Sequence, residues 1–272
     1  MKQADVRVCI VRVGGTNCDD ETERAFIDLG VKAEIRHLNE IVEKDGLAGY
    51  DALVFPGGFS FGDYVRAGAI LAKGFLAKLG TQLERFVDEG KPILGICNGF
   101  QVLVEAGLLP GFEGATEYPE AALATNVPMG FRCRWVHLKH EGSGRCIFTS
   151  KIPKGKVLRM PVAHAEGRFL FSKEKEKEYL DLLLTNGQLV FRYCRETGRY
   201  ADGGYPANPN GSFYDIAGIC NPEGTVFGLM PHPERAYYGW QPPDWTRVET
   251  PRKWGDGRLV FESTIEYVTR KL

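Results

Sequence analysis

Gly95-Ile96-Cys97-Asn98-Gly99 places a thiol between an apolar run, Pro92 to Ile96, and a helix-patterned stretch, Asn98 to Ala106, that stops at Gly107. Strand, nucleophile, sharp turn and helix in that order make the thiol version of the G-x-S-x-G elbow. The flanking glycines remove Cβ atoms that would clash at so tight a turn, and the turn lifts the sulfur out of the sheet's end. The helix that begins there aims free N–H groups and partial positive charge at the sulfur, which favours thiolate and can stabilise an oxyanion. Glycine is common enough here, 33 of 272 residues, for the pentad alone to arise by chance. Its placement between strand and helix is what singles out Cys97. Cys9, Cys133, Cys194 and Cys220 lie in apolar strands and read as small core residues. Cys18 and Cys146 sit near turns with no evident partner.

A cysteine nucleophile needs a base, and the base needs an orienting group. Met230-Pro231-His232-Pro233-Glu234 follows the apolar run TVFGL and offers both. Two prolines stiffen the backbone, and a His and a Glu two residues apart in extended chain project to one side. Glu234 can then hold the tautomer of His232 and stabilise its imidazolium. A lone histidine is more often structural; the prolines and the carboxylate reverse that weighting. Pro56-Gly57-Gly58 also ends an apolar run, where backbone free of side chains lets N–H groups approach a substrate. Taken alone it reads equally well as a simple turn.

These loops must be held by something. Val6 to Val13, Lys32 to Leu38, Tyr50 to Pro56 and Pro92 to Ile96 read as strands. They alternate with helical patterns that begin at Asp19 and Asp20, near Ile41, and over about Ala69 to Glu89. Such alternation predicts βαβ units and a mainly parallel open sheet flanked by helices, with ligands at the carboxyl ends of the strands. From Phe131 the texture changes. FRCRWVHL, KVLRMPVAHAEGRFLF and QLVFRYC predict longer strands, some antiparallel, with one amphipathic helix over Lys173 to Asn186. Ile216 to Met230 predicts a hairpin turning at Asn-Pro-Glu-Gly, and Leu259 to Leu272 a closing helix. With no repeat, linker or clear boundary, residues 1–272 read as one domain.

Composition bounds the rest. At 43% hydrophobic and 25% charged residues the chain is globular rather than disordered. At this length it should bury about 70–75% of its unfolded surface, enough for a core without staples. A net charge of −1 offers no basic field for nucleic acid and no polybasic membrane anchor. An odd seven cysteines without C-x-x-C spacing, and five scattered histidines, suggest neither disulfide framework nor metal site. The N-terminus lacks the apolar run of a signal peptide, and no stretch approaches the roughly 20 apolar residues of a membrane span. These features predict a reduced, cytoplasmic protein.

Three strand-end loops carrying PGG, GICNG and PHPE closely resemble the class I (triad) glutamine amidotransferases, whose fold is flavodoxin-like. LVFPGGFSFGDYVRAGAI, GICNGFQVLVEAGLLPG, PVAHAEGRF, the NPNGS of residues 208–212 and IAGICNPEGTVFGLMPHPERA resemble one branch. That branch is the glutaminase subunit of phosphoribosylformylglycinamidine synthase, in de novo purine synthesis. The resemblance covers Val6 to about Ala236 and resumes in the last helix.

It implies that Cys97 attacks the side-chain amide of L-glutamine to form a γ-glutamyl thioester. It implies too that His232 moves protons and activates water, that Glu234 orients His232, and that backbone N–H groups of Gly57-Gly58 and Asn98 hold the oxyanion. Gln101 and the segment around Phe131 would contact glutamine. His164 and Glu166, in PVAHAEGRF, are candidates for partner contact or for coupling the sites, against a plain polar pair at a strand end. Ala165 stands where the branch would have glycine. The implied partners are a large synthetase subunit, which carries ATP and Mg²⁺, and a small assembly subunit. No G-x-x-x-x-G-K-[ST] loop is present here, and no cofactor is expected on this subunit. Trp240 to Gly257, with three of the four tryptophans, reads either as a partner-facing surface or as a locally packed loop. An amidotransferase of another synthase, a stand-alone cysteine hydrolase or peptidase of related α/β type, and a non-catalytic scaffold are the rival readings. The intact thiol, imidazole and carboxylate set argues against the last.

Overall fold

The computed structural model describes residues 1–43, 46–116, 118–247 and 252–271. Its first half alternates as the pattern requires: β1 (Arg7–Arg12), α1 (Asp19–Ile27), β2 (Lys32–His37), α2 (Leu38–Glu43), β3 (Ala52–Phe55), α3 (Ala69–Asp88), β4 (Ile93–Ile96) and α4 (Asn98–Glu105). The second half adds β5 (Ala122–Ala124), β6 (Arg132–His140), β7 (Val157–His164), β8 (Arg168–Leu170), α5 (Glu176–Thr185) and β9 (Leu189–Cys194). β10 (Ile216–Cys220), β11 (Val226–Leu229) and α6 (Arg258–Lys271) complete it. A nine-stranded sheet runs β2-β1-β3-β4-β11-β10-β9-β6-β7, and β5 pairs with β8 apart from it. Neighbours from β2 to β11 are parallel, and those from β11 to β7 antiparallel.

Burial explains the order. β3, β4 and β11 are buried at every residue, as central parallel strands must be when both faces are covered. β2 is one edge, and its Lys32, Glu34 and Arg36 keep that rim charged. Phe26 of α1 meets Phe261 of α6 with ring centroids 5.0 Å apart, and Phe55 of β3 meets Phe75 of α3 at 5.0 Å. The closing helix is thereby fastened to the first. Among the described residues no helix is long and apolar enough to cross a membrane.

The antiparallel half does something the sequence pattern did not announce. β7 lies four strands from β11, yet the Pro161 carbonyl accepts the His232 N–H at 2.8 Å. The Ala163 carbonyl lies 3.6 Å from the Cys97 sulfur. The sheet must therefore curl until its far edge faces the ends of β4 and β11. Pro161 costs nothing there, because an edge strand has one side without a ladder.

Three expectations need correction. KVLRMPVAHAEGRFLF is not one strand: it breaks after His164 into β7 and β8, which belong to different sheets. The reason is a tight fold-back, since a Cβ on Gly167 would lie 2.3 Å from the His164 ring. The helix expected from Lys173 begins at Glu176, after a turn. Cys133 is exposed on β6 rather than in the core, whereas Cys9, Cys194 and Cys220 are buried. In the Trp-rich stretch, residues 248–251 lie outside those described. Trp254 packs on Tyr237 and Tyr238 under the Arg258 guanidinium, while Trp240 and Trp245 are exposed.

Gly99 fixes the approach of α4 to β3: a Cβ there would lie 1.8 Å from the Phe55 carbonyl oxygen. Ala would gain about 1 kcal/mol of helix propensity. Overpacking against backbone costs typically 1–3 kcal/mol and more when neither side can yield. Gly99→Ala is therefore expected to destabilise the protein by about 2 kcal/mol or more, read from the midpoint of urea denaturation.

Candidate active site

β4 and β11 are parallel neighbours with Ile96 paired to Leu229, so the residues that follow each strand emerge side by side. Cys97 is the first residue beyond β4, and His232 the third beyond β11. Cys97 holds φ 52° and ψ −103°, a left-handed backbone that a residue with a Cβ adopts only under constraint. The constraint is visible: its N–H donates to the Leu229 carbonyl at 2.8 Å, while Gln101 N–H donates to its own carbonyl. It is the N-cap of α4, so the free N–H groups of the first helical turn begin at Asn98. The elbow expected from the sequence is present.

His232 and Glu234 are both buried, and Nδ1 meets Glu234 Oε1 at 2.5 Å. Burial alone would pull the imidazole pKa down. The Glu234 carboxylate, then the sulfurs of Cys97 and Cys18, outweigh it and hold His232 well above its ordinary value. Nε2 has no hydrogen-bond partner among the described residues, and the Cys97 sulfur is among the groups that raise the ring's pKa. Thiol, imidazole and carboxylate are thus brought together as their spacing suggested.

The loop after β3 is tied to this pair. Gly57 stands against the ring: a Cβ there would lie 2.7 Å from His232 Cε1 and 3.0 Å from Cys18 Sγ. Gly58 has φ +149°, open to glycine alone. Ser60 N–H donates to Asn98 Oδ1 at 3.2 Å, so the loop that carries Gly58 and the helix start that carries Asn98 move as one unit. Gln101 is buried, and its amide is engaged at both ends, accepting from Asn98 Nδ2 and donating to the Glu166 carbonyl. It braces the site from behind. Phe131 is half exposed, its ring 6.2 Å from that of Phe59, and the two form an apolar rim.

Sequence reasoning passed over Asp63. Its carboxylate reaches Asn98 Nδ2 at 3.4 Å. Burial first, and then the Glu166 carboxylate, push its pKa up to about 6. Glu166 is half-buried and accepts the Ala67 N–H at 3.1 Å. Two loops from different strand ends therefore set a pair of carboxylates beside the residues that follow the nucleophile. Cys18 was passed over too, because the contact that matters, 3.8 Å from its sulfur to His232 Nδ1, spans 214 positions of sequence.

His164 is buried, so it offers no surface to a partner. The alternation of β7 puts it there, with Leu158, Met160, Val162 and His164 sharing the inward face. Its Nδ1 meets Asn126 Oδ1 at 3.1 Å, and Nε2 is unpaired among the described residues. NPNGS builds the wall behind it: Asn208 Oδ1 accepts three backbone N–H groups, and Asn210 and Ser212 both bond the Gly167 carbonyl. Tyr193, also missed, is fully buried with its oxygen 3.4 Å from Asn210 Nδ2. Burial pushes its phenol pKa far up.

Burial, reinforced by His232 and Arg132, holds the His164 pKa down at about 3 from 6.5. Between those values the unfolded chain binds more protons than the folded one, so stability rises with pH and is lost on acidification. At roughly 1.4 kcal/mol per unit the effect reaches several kcal/mol. His164→Asn is expected to flatten the rise, measured as urea midpoints across this interval.

Comparison with known proteins agrees with the geometry. A family model described as a CobB/CobQ-like glutamine amidotransferase domain matches residues 5–268. The phosphoribosylformylglycinamidine synthase subunit PurQ of Archaeoglobus fulgidus is 50% identical, with 99% of this chain and 100% of that protein aligned. The PurQ of Methanosarcina acetivorans is 44% identical over 97% and 99% of the two chains. A chain of the PurLQS structure from Thermotoga maritima superposes with a TM-score of 0.72 at 33% identity, covering 97% and 99%. The chain belongs to the glutamine amidotransferase family, in the branch of phosphoribosylformylglycinamidine synthase glutaminase subunits.

Proposed function

We propose that Cys97, His232 and Glu234 hydrolyse glutamine for a synthetase subunit that uses the ammonia to convert formylglycinamide ribonucleotide to its amidine. The observation that carries this is the strained Cys97 backbone next to a buried His232–Glu234 pair 2.5 Å apart. Cys97 sulfur attacks the amide carbon, and the tetrahedral oxyanion falls to the N–H groups of Gly58 and Asn98. His232 Nε2 takes the Cys97 thiol proton and delivers it to the departing nitrogen, so the C–N bond breaks, ammonia leaves and a thioester remains. Water then adds, His232 takes its proton, and the C–S bond breaks to release glutamate and the thiol. Glu234 keeps Nδ1 protonated so that Nε2 stays free for this traffic.

Glutamine is also a zwitterion, and its α-ammonium needs an anionic partner. Asp63 and Glu166 are the carboxylates that the geometry offers, beside Asn98 and Gln101. Phe59 and Phe131 would cover the aliphatic stem. His164 couples the thiol side to this mouth through the backbone of Ala163 and Glu166. ATP and Mg²⁺ would sit on the synthetase subunit, a small third subunit would assist assembly, and the complex would be cytoplasmic. Ammonia is mostly protonated in neutral water and so non-nucleophilic, which favours transfer within a complex.

In the complex with the synthetase subunit, Cys97→Ala should abolish glutamine-dependent amidine formation and leave synthesis from added ammonium salt intact. Loss of both, or retention of both, would contradict the assignment. Asp63→Asn is expected to raise KM for glutamine about tenfold with a smaller effect on kcat. In the unmodified protein KM should rise as pH falls through about 6, where the carboxylate takes up its proton. Steady-state kinetics against pH check both.

A further inference from the structure

Beside the His232–Glu234 pair stands a thiol that the hydrolysis above leaves unused. Cys18, the N-cap of α1, sets its sulfur 3.8 Å from Nδ1, the same nitrogen that meets Glu234. One ligand atom from each of Cys18, His232 and Glu234 lies within 4.8 Å of the other two, and all three side chains are buried. The second Glu234 oxygen, Oε2, is buried without a hydrogen-bond partner among the described residues. A buried carboxylate oxygen without a hydrogen bond, beside a thiol and an imidazole, is an acceptor that a cation can satisfy. Thiolate, imidazole and carboxylate together suit a borderline-soft dication and disfavour magnesium or calcium.

We propose that Cys18 Sγ, His232 Nδ1 and Glu234 form a site for a thiophilic divalent cation of the zinc class, and that filling it arrests glutamine hydrolysis. The charges balance. Cys18 thiolate and Glu234 offset the dication, while the nearby Arg235 is already paired with Glu21 at 3.3 Å. The geometry is close on one edge and must open on another. A tetrahedral zinc centre separates S and N ligands by roughly 3.6 Å, close to the distance present, and N and O ligands by roughly 3.4 Å. The 2.5 Å contact between His232 and Glu234 therefore has to break. On binding, the Cys18 proton and one imidazolium proton leave to solvent, and the remaining ring proton sits on Nε2. A ring bound through Nδ1 and protonated at Nε2 cannot accept the Cys97 or water proton short of becoming imidazolate. The binding half of the proposal stands on the donor set; the arrest rests on the His232 role given above.

Cadmium, added to the reduced full-length chain, reports the site through its ultraviolet thiolate charge-transfer band. Cys97→Ala should keep the band at about one equivalent, and Cys18→Ser or Cys18→Ala in that background should remove it. Both are needed so that one folded variant, matched by circular dichroism, remains. A band that survives the loss of Cys18, or one that needs Cys97, overturns the site. In the complex, Zn²⁺ should inhibit glutamine-dependent but not ammonium-dependent synthesis. Cys18→Ser, referred to its own uninhibited rate, should need at least tenfold more Zn²⁺ for half inhibition. A Cys18-dependent band without inhibition would overturn the arrest and the His232 role with it, while leaving the site.

Discussion

The contact on which the rest depends is the approach of the first turn of α4 to the end of β3, where Gly99 leaves no room for a Cβ beside the Phe55 carbonyl. That approach forces the chain leaving β4 through a left-handed residue, and the residue is Cys97. It also brings Asn98 within reach of Ser60 and Asp63, so the two segments that flank the thiol are joined directly through the Asn98 side chain. A looser junction would relax Cys97 into ordinary backbone and separate the two N–H donors at once. Strain at this position is held by packing around it, and the Leu229 carbonyl that receives the Cys97 N–H makes β11 part of the clamp.

From that clamp the layout follows by adjacency. β11 lies beside β4, so His232 arrives next to Cys97 without any long connection. The antiparallel half then curls back, and its Pro161 and Ala163 carbonyls meet the His232 N–H and the Cys97 sulfur. Behind β7, a shell of buried asparagines and Ser212 satisfies the backbone turn at Gly167. The cost of burying so many polar groups is offset because nearly every one is bonded. Nine buried side-chain atoms lack a partner among the described residues, and three of them, Nε2 of His232, Nε2 of His164 and Oε2 of Glu234, belong to residues of the site or its wall.

How much of this was legible depends on how far each signal reaches. GICNG and PHPE were legible because each motif is contiguous and sits where a strand pattern ends. The parallel half was legible because buried strands and amphipathic helices alternate with clean stops. β7 and β8 were read as one strand because nothing local marks the fold-back at Gly167; the cause is the His164 ring, which only the tertiary structure puts there. Cys18 and Tyr193 escaped for a related reason: their neighbours are distant in sequence, and β9 is buried on both faces, so no alternation marks Tyr193. Asp63 lay inside a string that resemblance had already flagged as specific, yet its type alone did not tell a site carboxylate from a turn. Cys133 was misplaced because an apolar strand pattern does not say which of its faces is covered.

The chemistry turns on Cys97 being a nucleophile that faces a glutamine-shaped site. Intact mass after exposure to an electrophilic glutamine analogue, with the synthetase subunit bound, tests it most directly. One adduct is expected, absent in Cys97→Ala. No adduct in the complex, or one that persists without Cys97, would contradict it.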